Sequence, residues 1–375
     1  MTARDDRRFG AIINRLIQRE NLTRQEAAQA FNVILSNATT PVQQGAFLAA
    51  LTAKGETEME VAGAWDAIYQ LDTVKIELHT PRPVVENSGT GRDTFKTFNI
   101  STAAAIVAAA RGVPMARHGS RAITSFCGTV DISEKLGIDV DCPPAVVAKS
   151  IEKAGIGLFN GMSPAIHPGA LGRILSQVCF GSTLNIAASL ANPALPAIGV
   201  RGVYSKEMIL PVIGVMKSIG YKKALVIYGE VESEGQGANR LSAPGMDEAS
   251  VNGPTYCARL FENGDIETFT IRPQNYGLGG SSPHDLSPGP DMDGEVRRFV
   301  DLISNRENSL RKEAVMINAA LIFYAADIVA GIEAGLEMAA DALESGAAFK
   351  TLTDWVSAQN RDPEKGMKTL ERLVA

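Results

Sequence analysis

Two stretches of this 375-residue chain group short polar side chains in patterns suited to anion and metal chemistry. The first reads Ser88-Gly-Thr-Gly-Arg-Asp-Thr-Phe-Lys-Thr-Phe-Asn-Ile-Ser-Thr102. It follows the apolar pair Val84-Val85 and leads into an Ala-rich run. A glycine-rich turn lets backbone N–H groups approach an anion closely. The helix start beyond it adds free donors and a positive dipole end. Thr97, Asn99, Ser101 and Thr102 supply hydroxyl and amide groups at the same point. Without a ligand, the string is a plain turn with an N-cap at Ser101 or Thr102. The second stretch is Met246-Asp247-Glu248-Ala-Ser250. Adjacent carboxylates offer hard oxygen ligands to Mg²⁺, an ion that keeps several waters and bridges to substrate phosphates. A lone Asp-Glu pair otherwise reads as solvated charge.

Further polar groups lie between these two. Arg117-His-Gly-Ser-Arg121 follows a predicted strand over Val113 to Ala116. Arginine there would neutralise phosphate with a planar fork of donors. His118 reads equally as a strand-end residue that fills one hydrogen bond. Cys127, in Ser125-Phe-Cys-Gly-Thr129, reads either as a site residue or as a small packed one. Arg173 is the only cation between His167 and Asn185. It either reaches a pocket or faces solvent on its helix.

Residues 1 to about 72 must form a helical unit that precedes these groups. Phe9, Ile12, Ile13, Leu16 and Ile17 recur at helical spacing. Thr23 with Glu26 has the form of a capping box. Thr40-Pro41 opens a third helix, with Pro41 where proline is tolerated and Gly55 as its C-cap. Thr57 to Leu71 makes a fourth. From about Pro81 short apolar strands alternate with helices. Strands are expected at Val84-Val85, Val113–Ala116, Ala197–Val203 and Ala224–Tyr228, with helices over Ala103–Ala110 and Lys206–Ile219. That alternation argues for an α/β layered domain around a largely parallel central sheet. Two amphipathic helices, roughly Ser309 to Ile332 and Leu336 to Ser345, close the chain. Val231 to Pro244 and Gly277 to Asp293, rich in Gly, Ser and Pro, read as long loops.

The bulk numbers exclude several classes. Hydrophobic residues are 45% and charged residues 21%, an ordinary globular balance. A net charge of −6 disfavours a broad nucleic-acid surface. The four cysteines, Cys127, Cys142, Cys179 and Cys257, show no C-x-x-C and no zinc spacing, which points to free thiols in a reducing compartment. No apolar run reaches the ~18 residues of a membrane span, and Met1 to Arg8 is charged. The expectation is a cytoplasmic protein with no membrane or nucleic-acid partner.

Taken together, these strings resemble the anthranilate phosphoribosyltransferase family (glycosyltransferase family 3) from about residue 8 to about residue 350. The first is similar to that family's G-T-G-G-D and N-[IV]-S-T, with Arg92 where another Gly is usual. Arg117 to Arg121 is similar to K-H-G-N-R, and Met246 to Ser250 to [ML]-D-E-[IV]-S. Ser125 to Thr129 stands where S-K-S-G-S is common. Leu22-Thr-Arg-Gln-Glu-Ala27 and Lys54-Gly-Glu-Thr57 are similar to L-T-x-E-E-A and K-G-E-T. The resemblance implies a nucleoside phosphorylase-like fold. Its small α-helical domain would span residues 1–78 plus part of 167–186, and its α/β domain residues 79–375. It implies contacts to phosphoribosyl pyrophosphate from Gly89, Arg92, Asp93, Thr97, Asn99, Ser101, Thr102, Arg117 and Cys127. It implies Mg²⁺ at Ser101, Asp247 and Glu248, and a homodimer. Acceptor contacts would come from Gly89, His118, Ser120 and Arg173. His167-Pro-Gly-Ala170 is similar to H-P-A-M, but the family's P-V-R arginine, which pairs with the anthranilate carboxylate, is missing, and Ser120 replaces an Asn. The expected activity is transfer of phosphoribosyl to the amine of an aromatic acceptor, anthranilate first. A relative with a different acceptor, a pyrimidine phosphorylase-type reaction, and a lapsed nucleic-acid-binding relative are the alternatives.

Overall fold

Three threonines open three of the first four helices. Thr23, Thr40 and Thr57 each lie in extended backbone and accept the N–H of the residue three further on. Each thereby satisfies a donor that a helix start leaves unpaired. Glu26 and Glu60 complete two capping boxes, Pro41 occupies the first turn of its helix, and Gly55 ends it. The computed structural model describes residues 3–90, 94–122, 127–231, 244–280 and 282–374. In chain order its elements are α1 (Ala3–Ile17), α2 (Arg24–Leu35), α3 (Pro41–Lys54), α4 (Glu58–Leu71), β1 (Val85–Ser88), α5 (Ile100–Ala109), β2 (Met115–Gly119) and α6 (Thr129–Lys135). There follow α7 (Pro144–Ala154), β3 (Ile156–Asn160), α8 (Leu171–Val178), α9 (Thr183–Leu190), β4 (Ile198–Gly202), α10 (Ile209–Ser218), β5 (Lys223–Glu230) and β6 (Gly245–Met246). The rest are β7 (Thr255–Leu260), β8 (Ile266–Ile271), α11 (Met292–Ile303), α12 (Leu310–Ala325), α13 (Ile332–Glu344), α14 (Ala347–Ala358) and α15 (Pro363–Val374).

The sheet runs β3-β2-β1-β4-β5-β7-β8, with β6 also paired to β5. The first five strands of that order are parallel; β7 and β8 add an antiparallel edge. The two larger cores lie on its two faces. One joins Ala103 to Ala109 of α5 to α12 and to the carboxyl-terminal helices. The other joins Phe9, Leu16, Phe31 and Phe47 of the helical unit to α10, and takes in Leu171, Ile174, Leu184 and Ala187 from α8 and α9. No helix among the described residues is long and apolar enough to cross a membrane.

The carboxyl-terminal expectation needs correction. Four helices, not two, follow Ser309. Helical periodicity continues past Ala325, but Asp327 takes a left-handed φ of 54° and pairs with Arg259 and Lys223, so the chain turns there. Gly346, at φ 73°, separates α13 from α14 in the same way. The expected loop from Gly277 to Asp293 contains a short 3₁₀ turn at Pro283–Leu286, and Leu286 is fully buried. Most of the other long loop, residues 232–243 with Gly235, Gly237 and Arg240, lies outside the described residues.

Two interactions hold the ground beneath the strand ends. Arg311 and Glu295 form a buried two-pronged ion pair, at 2.8 and 3.1 Å. Arg311 also donates to the carbonyls of Asp285 and Ser287 and lies over the Phe98 ring. It thus ties the 3₁₀ turn to the segment that leads into α5. Gly202, the last residue of β4, lies under the Asp247 backbone: a Cβ there would sit 1.5 Å from the Asp247 carbonyl oxygen.

Gly202→Ala should therefore cost about 1–3 kcal/mol in urea unfolding through overpacking. Gly331→Ala, where a Cβ meets nothing within 4 Å, should stay near neutral. Arg311→Met should cost about 3–5 kcal/mol, because it leaves Glu295 buried and unpaired. Adding Glu295→Leu should restore part of that loss; equal loss in the single and double variants would show that the pairing is not what matters.

Candidate active site

The site forms at the carboxyl ends of the parallel strands, the usual place for a ligand in an open α/β sheet. β1 ends at Ser88 and hands over to Gly89 and Thr90. Residues 91–93, including the expected contacts Arg92 and Asp93, lie outside the described residues. The chain re-emerges at Thr94 and enters α5 at Ile100. Asn99 occupies the N-cap position without a side-chain cap and donates instead to the Cys127 carbonyl at 3.2 Å. Ser101 and Thr102 therefore lie inside the first helical turn and do not cap it.

The carboxylates arrive from about 150 positions away in sequence. The Thr94 and Phe95 N–H groups both donate to the Gly245 carbonyl, at 3.1 and 3.0 Å. This clasp draws the β6 segment over the strand ends. Glu248 then accepts hydrogen bonds from Thr97 Oγ1 at 3.4 Å and Ser101 Oγ at 3.3 Å. Asp247 accepts from Thr90 Oγ1 at 3.4 Å. A Cβ at Gly89 would lie 2.4 Å from the Asp247 carboxylate, so only glycine fits beneath it. Asp247 and Glu248 are both buried. Two carboxylates flanked by hydroxyls match the hard oxygen donors that Mg²⁺ takes when it also binds substrate phosphates. Among the described residues no group of three or more His, Cys, Asp or Glu side chains is placed to hold a metal ion.

β2 contributes Arg117 and His118 on opposite faces. Arg117 is buried, donates to Thr102 Oγ1, and donates from Nε to Asn87 Oδ1 at 3.2 Å. Asn87 in turn donates to the Ser101 carbonyl at 2.8 Å. Burial pulls the guanidinium down to about 10, against the opposing pull of Glu248 and Glu86. It stays charged at neutral pH. His118 is buried beside His167, their Nε2 atoms 3.2 Å apart. Ser120 lies half-buried just beyond the strand, and its carbonyl accepts from Val130 N–H. Burial pushes the Cys127 thiol up to about 12, so it is no nucleophile at neutral pH.

Arg173 stands apart from this group. Its guanidinium donates to Gln44 Oε1 and to the Ile34 carbonyl, both at 3.2 Å, and so ties α8 to the helical unit. A different cation lies at the site. Arg201 of β4 is buried and donates to Ser88 Oγ, to Ser189 Oγ and to the Ser189 carbonyl. Behind it lies Glu86, which accepts from Tyr221 at 2.6 Å and Asn192 at 2.9 Å. Burial raises the Glu86 carboxyl, while Arg201, Tyr221, Asn192 and Arg117 oppose the rise. Sequence reasoning missed Arg201 and Glu86. The available signal was a single charge inside an apolar strand run, Val200-Arg201-Gly202 and Val84-Val85-Glu86.

Known proteins share this architecture. Residues 11–71 match the helical bundle domain of the glycosyl transferase family, and residues 81–349 match its a/b domain. The anthranilate phosphoribosyltransferase of Methanosarcina acetivorans is 36% identical over 93% of this chain and 91% of its own. That of Methanothermobacter marburgensis is 32% identical over 93% and 98%. The Thermus thermophilus structure of the same name superposes with a TM-score of 0.80 at 28% identity, covering 93% of this chain and 99% of that one. The Saccharomyces cerevisiae structure, in complex with PRPP and Mg, has the same fold, with a TM-score of 0.78 at 20% identity, covering 94% and 98%. Matched in both its helical and its a/b parts, the chain belongs to the glycosyl transferase family of the anthranilate phosphoribosyltransferases.

Proposed function

We propose that this protein transfers the phosphoribosyl group of phosphoribosyl pyrophosphate to the amine of an aromatic acceptor, anthranilate, and releases pyrophosphate, an early step of tryptophan biosynthesis. One observation carries the reading: Asp247 and Glu248 lie against the Gly89 turn and the first turn of α5, hydrogen-bonded to Thr90, Thr97 and Ser101. A helix start with an uncapped amino end binds phosphate, and the acids beside it bind the counter-ion. The curated relatives bear the name of this activity.

In the reaction the C1′–O bond to pyrophosphate breaks and a C1′–N bond forms to the acceptor amine, which gives up a proton. Negative charge grows on the departing pyrophosphate. Asp247 and Glu248, with Ser101 near them, would hold Mg²⁺, which when bound would supply positive charge to those oxygens. The α5 amino end, the Gly89 turn and Arg117 act on the same charge from fixed positions. Arg92, Asp93, Thr97, Asn99, Thr102 and Cys127 complete the phosphoribosyl side of this reading, and Gly89, His118 and Ser120 the acceptor side. Arg173, bonded to Gln44 and Ile34, serves α8 packing, and Arg201 is the cation of the acceptor side. The reading includes a cytoplasmic enzyme and a homodimer formed through the helical unit. There Ile17, Val42 and Phe180 are exposed at 65%, 81% and 43%.

Purified protein with Mg²⁺, phosphoribosyl pyrophosphate and anthranilate should consume anthranilate fluorescence and release pyrophosphate in equal amounts. Asp247→Asn combined with Glu248→Gln should lower turnover by about 100-fold or more while leaving far-UV circular dichroism unchanged. Undiminished turnover in that variant would remove the acids from the reaction. A protein stabilised by phosphoribosyl pyrophosphate that leaves anthranilate untouched would favour the relative with another acceptor.

A further inference from the structure

A single amide interrupts the apolar run of α12, Val315-Met-Ile-Asn-Ala-Ala-Leu-Ile322. Asn318 is 7% exposed, and Ile317, Ala319, Ala320 and Leu321 beside it are fully buried. An amide in such a place is costly unless its polar groups find partners. Those of Asn318 all do. Its Oδ1 accepts the Ala249 N–H at 3.0 Å. Its Nδ2 donates to the Ala249 carbonyl at 3.2 Å and, one turn back, to the Ala314 carbonyl at 2.8 Å. Only this orientation works: reversed, the oxygen would face two carbonyls and the NH₂ an N–H. Ala249 lies beyond β6 and outside the sheet ladder, so Asn318 takes the place of a neighbouring strand.

Ala249 directly follows Glu248. The Glu248 carbonyl lies against Gly229 of β5, where a Cβ would come within 2.4 Å of it. The N–H of that same peptide unit is the one Asn318 accepts. In the next unit the carbonyl takes Asn318 Nδ2, and the Ser250 N–H donates to Thr255 Oγ1 at 2.9 Å. Two consecutive peptide units behind the acids are therefore fixed. The hydroxyls in front hold the carboxylates less firmly. Thr90, Thr97 and Ser101 approach them at 3.3 to 3.4 Å, long for O–H···O bonds. These hydroxyls are also the groups that an incoming ion or phosphate would draw on.

We propose that Asn318 is a positioning residue for the two acids: its grip on Ala249 sets Glu248, and Asp247 before it, in place before any ion or phosphate arrives. The inference rests on the reading of Asp247 and Glu248 as the acids that hold Mg²⁺. Asn318 acts through the main chain. Groups behind metal ligands commonly control affinity, because they decide how far the ligands must rearrange to bind. α12 also shares a core with Ala103 to Ala109 of α5. One helix thus backs both the acids and the phosphate helix, and the spacing between the two is set by packed elements.

Hydrogen exchange on the full wild-type chain tests the grip itself. The Ala249 and Ser250 amides should already be protected in the ligand-free protein. Amides that exchange freely until Mg²⁺ and phosphoribosyl pyrophosphate are added overturn the inference, whether or not any variant folds. Mn²⁺ binding, read by electron paramagnetic resonance with phosphoribosyl pyrophosphate present, tests the consequence. Asn318→Leu, similar in volume, should weaken Mn²⁺ binding about tenfold. It should raise the Mg²⁺ concentration for half-maximal turnover by a similar factor, with the KM for anthranilate unchanged. Ile317→Ala, which opens the core one residue away, should lower the melting temperature and leave Mn²⁺ binding unchanged. Equal Mn²⁺ affinity in wild type and Asn318→Leu overturns the inference, as does an equal loss in Ile317→Ala. Wild-type protein that binds no Mn²⁺ sinks the metal reading and this inference with it. Tight Mn²⁺ binding with a freely exchanging Ala249 amide sinks the inference alone.

Discussion

The site depends on one acidic segment crossing the carboxyl ends of the parallel strands at contact distance. Asp247 passes over Gly202 of β4 and sets its carboxylate against Gly89 beyond β1. Strand ends are normally roofed by side chains, so this crossing requires positions with no Cβ. The clasp between Gly245 and the Thr94–Phe95 amides fixes where the segment lands. The landing in turn puts Glu248 against Thr97 and Ser101. The loop, the helix start and the acids thus define one another. None of the three would keep its geometry if the crossing were lifted by the width of a methyl group.

Burial of charge around this crossing follows from the same geometry. Arg117, Arg201 and Glu86 are almost wholly removed from water. Ions in such places destabilise a fold unless hydrogen bonds replace hydration. Here they do: Arg117 is held by Asn87 and Thr102, Arg201 by Ser88 and Ser189, and Glu86 by Tyr221 and Asn192. The network is attached to the last residues of β1 and to the first turn of α5. Stability spent on it therefore becomes rigidity at the phosphate loop, with dipoles and cations already oriented before charge develops on a leaving group.

Much of this was legible in the sequence because it depends on local rules. Thr23, Thr40 and Thr57 announce helix starts, since capping is decided within four residues. The Gly89 string and the Asp247-Glu248 pair are contiguous, and their residue types state their chemistry. What was not legible depends on partners distant in sequence. Arg201 looks like a strand residue until Ser88 and Ser189 are seen beside it. Arg173 reads equally as a pocket cation or a solvent-facing one until Gln44 and the Ile34 carbonyl take its guanidinium. The end of α12 escaped notice because Asp327 breaks a continuing helical pattern for the sake of Arg259 and Lys223, whose approach no local rule encodes. Residues 91–93 and 232–243 lie outside the described structure, so Arg92, Asp93 and the glycines of the second loop stand as sequence readings only.

Departures from the family pattern occur on both sides of the site, but those on the phosphate side, Arg92, Arg117 and Cys127, leave its acids, most of its hydroxyls and a cation on β2 in place. The acceptor side lacks the expected arginine, and the chain between His167 and Asn185 is tied down differently, with Asp72 holding the start of α8 and Arg173 bonding it to α2 and α3. A helix fixed at both places cannot swing a new cation into the pocket. On the proposed reading, recognition of a carboxylate would come from the sheet, where Arg201 is buried and hydrogen-bonded to Ser88 and Ser189. A cation on a strand is more rigid than one on a short helix, and its hydrogen bonds to two serines leave it less freedom to follow a differently shaped ligand. The acceptor side of this protein should accordingly be the more selective half of the site, and the phosphoribosyl side the more conventional one.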